Sequence, residues 1–160
     1  MSRVFTTLMV SAAALFFCTF SFAHSEIMVS DAKVRQFLPA STSSVAYLSL
    51  MNHGDSERVL QRVDIESIGR VEIHTHEMQD GMMKMRKLDQ LTLQPNATQV
   101  FQSGGLHLML FEPEQVLNVG EDLKMTLYFA DGDRVFTQAK VFSLMDEMPS
   151  SEGGHKHHHN

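Results

Sequence analysis

Imidazole and thioether side chains crowd one stretch of this chain. Between His74 and Met109 lie three histidines (His74, His76, His107) and five methionines (Met78, Met82, Met83, Met85, Met109). One set within it is spaced for a purpose: His74, ten residues, Met85, 21 residues, His107, and Met109 two positions on. Two imidazoles and two thioethers, with no thiol and no carboxylate cluster nearby, favour Cu(I). Zinc would call for thiolates or more histidines, and calcium for oxygen ligands. The chemistry implied is the holding of a soft, monovalent copper ion.

Strands must position these donors. Val71–His76 alternates, which puts Glu72, His74 and His76 on one face and Val71, Ile73 and Thr75 on the other. Either histidine of that face is a candidate ligand. Asp80-Gly81 reads as a hairpin turn between His76–Met78 and Met82–Arg86. On the return strand Met83 and Met85 share a face, and the hairpin is expected to bring Met85 across from His74. In Leu106–Phe111, His107 and Met109 face one way and Leu106, Leu108 and Leu110 the other. Ligands two apart on one strand face suit chelation.

The remaining segments read as further short strands: Ile27–Phe37, Val45–Met51, Val59–Ile65, Leu91–Leu93, Thr98–Phe101, Leu123–Phe129 and Arg134–Phe142. Turns separate them, including Asn52-His53-Gly54-Asp55, Ile68-Gly69-Arg70 and Asp131-Gly132-Asp133. The carboxylates of the last are read as turn residues and not as a calcium site. About nine strands with almost no helical periodicity predict an all-β fold, an antiparallel sandwich or barrel. Met28, Met51 and Met125 are expected to be core filler. Met78 and Met82 are expected to flank the mouth of the site at the hairpin tip.

The ends of the chain differ from its middle. Arg3, an apolar run from Leu8 to Phe20, and Ser21-Phe22-Ala23 predict a secretory signal over residues 1–23, cleaved after Ala23. Cys18 is the sole cysteine and would leave with it, so the mature domain has no disulfide and no thiolate for catalysis or a blue-copper centre. Phe17 is too bulky for a lipobox at Cys18. The net charge of −6 argues against nucleic acid and anionic lipid as partners. No later apolar run is long enough to span a bilayer. A periplasmic domain over 24–144 is expected, with no membrane insertion and no oligomerisation. From Met145 to Asn160 the composition turns polar and His-rich, which predicts a flexible tail. His155, His157, His158 and His159 there suit Cu(II).

The residues His74, Met85, His107 and Met109 at these spacings resemble the signature of the PCuAC family of periplasmic copper chaperones. Val29-Ser30-Asp31-Ala32, Ala46-Tyr47-Leu48, Val71-Glu72-Ile73-His74, Met83-Lys84-Met85-Arg86 and Gly105–Leu110 follow in family order. The resemblance covers Val29 to Phe142. It implies a cupredoxin-like β-sandwich that binds one Cu(I) through those four side chains. It also implies a partner: the copper A domain of cytochrome c oxidase subunit II, a Sco-type thiol protein, or both. A His/Met-rich tail that takes Cu(II) belongs to the same picture. His76 and Met83 are extra candidates beside the matched set, and His53 and Met51 lie where no ligand is required.

Two competing readings come from other classes. A storage or scavenging protein would bind copper without delivering it, and the tail would add capacity. A copper enzyme could use an amino-terminal His24, but that residue precedes the first strand and has no matched second histidine. No hydrolase motif is present, so an enzyme is not expected.

Overall fold

Alternation with period two sets the strands, and burial shows which face each turns inward. The computed structural model describes residues 26–79 and 81–147. Ten strands follow in order: β1 (Ile27–Arg35), β2 (Ser43–Asn52), β3 (Arg58–Ile65), β4 (Ile68–Gln79), β5 (Met82–Leu88), β6 (Leu91–Leu93), β7 (Thr98–Phe101), β8 (His107–Pro113), β9 (Asp122–Phe129) and β10 (Arg134–Phe142). A 3-10 turn over Leu144–Glu147 closes the described chain. It straddles the expected start of the tail at Met145. The signal segment, His24, Asp80 and the tail histidines His155, His157, His158 and His159 lie outside the described residues.

The strands run β5-β4-β8-β2-β1-β10-β9-β3-β6 in one hydrogen-bonded sheet, with β7 added to β2. Leu48 and Leu50 of β2, Ile73 of β4 and Leu108 and Leu110 of β8 share one buried cluster with Leu60 and Val63 of β3 and with Leu123, Met125 and Leu127 of β9. Strands far apart in the sheet therefore face one another across a common core, which makes the sheet a sandwich. All pairs are antiparallel except β1 with β10, which is parallel. The fully antiparallel expectation thus fails at one seam, where the first and last strands meet. The fold is otherwise the expected all-β, cupredoxin-like one.

Local departures have local causes. Ile68-Gly69-Arg70 is strand and not turn; the reversal falls one step earlier, at Ser67, whose φ is 63°. Met28 is half exposed, not core, because alternation buries Ile27 at 3% and turns its neighbour outward. Met125 is fully buried, as expected, and Met51 is half-buried. Asp131 and Asp133 each hold Arg58 at 2.8 Å, so that turn is an ion-paired clamp.

Candidate metal centre

Three neighbouring strands, β5, β4 and β8, present the candidate donors on one face. Ile73, Leu108 and Leu110 point into the core. Their alternation partners Glu72, His74, His76 and Met78 on β4, and His107 and Met109 on β8, must therefore point away from it. Met83, Met85 and Lys87 of β5 stand opposite Met78, His76 and His74, on the same face.

Register fixes who meets whom. His74 is directly opposite His107, and Glu72 is directly opposite Met109. On the other side His76 is opposite Met85, and His74 is opposite Lys87. The expected His74–Met85 pairing is thus displaced by two residues: Met85 is a diagonal neighbour of His74. Gln79 pairs with Met82 around Gly81, whose φ is 77°, and that tight closure sets every pair behind it. Met109 is likewise diagonal to His74, but from β8 and in the opposite direction. In a flat sheet Met85 and Met109 would stand roughly 17 Å apart at Cα, from about 3.4 Å per residue and 4.8 Å per strand. One ion reaches both thioethers only if the hairpin coils. β8 begins at His107, so β4 beyond His74 is paired with β5 alone, and such two-stranded ribbons twist readily.

The imidazoles are close. The ring centroids of His74 and His107 are 6.0 Å apart, and His76 stacks on His107 at 5.2 Å. His107 is 3% exposed, whereas Met85 is 49% exposed, so the site is closed on the β8 side and open toward the hairpin. His53 is exposed at the β2–β3 turn, away from these strands. Among the described residues no three His, Cys, Asp or Glu side chains are placed to hold a metal. A metal ion on this face would therefore draw on thioethers as well as imidazoles.

Hydrogen bonds fix the tautomers. Glu72 Oε2 lies 2.9 Å from His74 Nε2. Glu72 also takes Arg70 at 2.5 Å and Lys87 at 3.1 Å. The bond from His74 first, then those from Lys87 and Arg70, hold its carboxyl down at about 2 against partial desolvation. An ionised carboxylate only accepts, so Nε2 carries a hydrogen and Nδ1 is the ring nitrogen left to offer a lone pair. That Nδ1 is buried and without a hydrogen-bond partner among the described residues. His107 Nδ1 donates to the Gly105 carbonyl at 2.9 Å, which leaves its lone pair on Nε2. Burial pushes the His107 pKa down, partly offset by that carbonyl, so the ring favours the neutral form that binds metal. The arrangement is two imidazoles, each oriented by a protein acceptor, with thioethers beside them.

Sequence reading missed Glu72 as the residue that orients His74. The available signal was its position two before His74 on the same face, with cations at 70 and 87.

The described residues form a cupredoxin-like sandwich with imidazoles and thioethers gathered on one sheet face. This chain belongs to the family described as putative lipoprotein LpqE-like, which matches residues 27–141. Its fold is that of PCuAC domains. The copper-bound PCuAC domain from PmoF2 matches with a TM-score of 0.64 at 23% identity, over 76% of this chain and 97% of that one. The Cu(I) form of DR1885 from Deinococcus radiodurans matches with a TM-score of 0.60 at 27% identity, over 71% of this chain and 75% of that one. The uncharacterized protein RP573 of Rickettsia prowazekii (strain Madrid E) is 30% identical over 101 residues, 62% of this chain. The match spans 56% of that curated relative's length.

Proposed function

We propose that this chain is an exported copper chaperone that carries one Cu(I) on the β5-β4-β8 face and releases it to a copper A centre in the periplasm. The observation that carries the reading is the His74–His107 pair, with one lone pair each on Nδ1 and Nε2 and thioethers flanking both. His74 and His107 take the ion first, since their rings already adjoin. Met109 approaches from β8, and Met85 closes over the ion as the hairpin coils. Thioethers are neutral and soft, so the site holds Cu(I) and discriminates against zinc. Copper-bound relatives of the same fold support the cargo.

Release follows from exposure. Among the described residues the hairpin side of the site carries the exposed Met78, Met83 and Met85, so the thiolates of a Sco-type protein, or the copper A ligands themselves, enter the shell and displace one ligand at a time. The tail histidines His155, His157, His158 and His159 hold Cu(II) separately. Binding, not catalysis, is the role.

Transfer is the test. The Cu(I)-loaded chain is mixed anaerobically with the apo copper A domain of oxidase subunit II, alone and with a reduced Sco-type protein. Copper moving to the acceptor, followed by the copper A absorption bands on reoxidation, supports delivery. Retention of copper against both acceptors would make this a storage protein.

A further inference from the structure

Four methionines on the β4–β5 hairpin are exposed where apolar side chains would normally be turned inward. Met78 is 67% exposed, Met82 60%, Met83 55% and Met85 49%. Register sorts them. Met82 pairs with Gln79 and lies on the far face, whereas Met78 is directly opposite Met83 on the face that carries His76 and Met85. Three successive rungs thus run down one face of the hairpin: Met78 with Met83, His76 with Met85, and His74 with Lys87, with His107 of β8 opposite His74 on its other side. The side chains of a directly opposed pair start about 4.5–5.5 Å apart, close enough for two thioethers to share one ion. Successive rungs are about 6.8 Å apart, two residues along a strand.

We infer that Met78 and Met83 form a second, weaker Cu(I) site at the hairpin tip, from which the ion passes through His76 and Met85 to the core pair. The inference rests on the proposed Cu(I) cargo and adds its route. Both side chains of the Met78–Met83 rung are thioethers, so hard and borderline cations gain nothing from it. Each step exchanges one neutral donor for another. A bond to one sulfur or nitrogen breaks as the next forms, no electron moves and no proton is released. Exposure makes the tip rung the first soft donor pair that a copper donor meets, and the last that an acceptor meets. An apolar docking patch would explain the exposure equally well, but it would not need sulfur. Leucine therefore separates the two, since it keeps the apolar volume and removes the donor.

The experiment titrates the chain, labelled with 13C at the methionine methyls and 15N in the histidine rings, with Ag(I) as a redox-inert stand-in for Cu(I). The first equivalent is expected to shift the Met85 and Met109 methyls and the His74 and His107 rings. The second is expected to shift Met78 and Met83 together. Methyl signals are specific to their residues, so Ag(I) taken by tail histidines does not confuse the reading. In Met78→Leu/Met83→Leu the core dissociation constant stays unchanged, while the rate of core loading from a Cu(I)–chelator complex falls about tenfold, within the span that such variants show. Met78 and Met83 methyls that stay put at the second equivalent, or a loading rate unchanged in the double variant, overturn the tip site alone. A first equivalent that leaves Met85, Met109 and both rings unmoved overturns the chaperone reading instead.

Discussion

Glu72→Gln is the most informative single change. Glu72 receives a charge-assisted hydrogen bond from His74 Nε2 at 2.9 Å and is itself pinned by Arg70 and Lys87. Glutamine keeps the shape and an accepting oxygen but loses the charge. Hydrogen bonds to charged groups contribute about 1.5–3 kcal/mol against 0.5–1.5 for neutral ones, so the orientation of His74 weakens by roughly 1–1.5 kcal/mol. At about 1.4 kcal/mol per tenfold, the Cu(I) dissociation constant should rise about 5- to 10-fold. Glu72→Ala removes the acceptor altogether and should reach the 10- to 100-fold range seen when a metal-bound histidine loses its outer partner. The assay is competition with a chromophoric Cu(I) chelator under reductant. Glu112→Gln serves as control, since Glu112 also contacts Arg70, at 3.3 Å, and sits on the same network. It should leave affinity unchanged. An unchanged constant in Glu72→Gln would refute the orienting role. A tighter one would show that Glu72 competes with copper for Nε2, and that His74 does not bind through Nδ1.

Other outcomes follow from the same geometry. Met85→Leu and Met109→Leu conserve volume, so thermal midpoints should hold, while Cu(I) affinity drops by at least the ~10-fold that a lost outer partner costs; wild-type affinity in both would remove the thioethers from the site. Met125→Ala opens a cavity in the fully buried core and should cost about 2–5 kcal/mol in denaturant unfolding, with Cu(I) affinity intact. On acidification the apo protein should weaken in two stages. His107 has a pKa below the usual 6.5 in the fold, so its contribution is present above that value and lost as pH falls from it. Glu72 is held at about 2 against 4.5, so its contribution is present above 4.5 and lost as pH falls toward 2. Urea midpoints at pH 7.5, 6, 5 and 3.5 check this, and a rise on acidification would contradict it.

Much of this was legible from residue types. Period-two alternation separated Ile73, Leu108 and Leu110 from His74, His107 and Met109, because one face of a strand must be apolar to be buried. The register of the β4–β5 hairpin was legible too, once Asp80-Gly81 was taken as a two-residue turn. Gln79 opposite Met82 forces His76 opposite Met85, and placing Met85 across from His74 ignored that count. Other features were not local. The parallel β1–β10 seam joins the two ends of the domain, and no short pattern encodes it. Glu72 acquires its role only because Lys87 on β5 and Arg70 on β4 converge on the same carboxylate. The strand through Ile68–Arg70 is maintained by β8, where Ile68 pairs with Pro113, against the turn propensity of Gly69.

The central claim is that one Cu(I) is held by imidazole and thioether together on the β5-β4-β8 face. X-ray absorption at the copper edge tests it most directly, on the chain loaded with one equivalent under reductant. A mixed shell is expected, with two nitrogens at about 2.0 Å and two sulfurs at about 2.3 Å, close to the lengths zinc shows with imidazole and thiolate. The sulfurs should vanish from the shell in Met85→Leu/Met109→Leu. A shell of nitrogen alone in the parent chain would contradict the account and move the copper to the histidines of the tail.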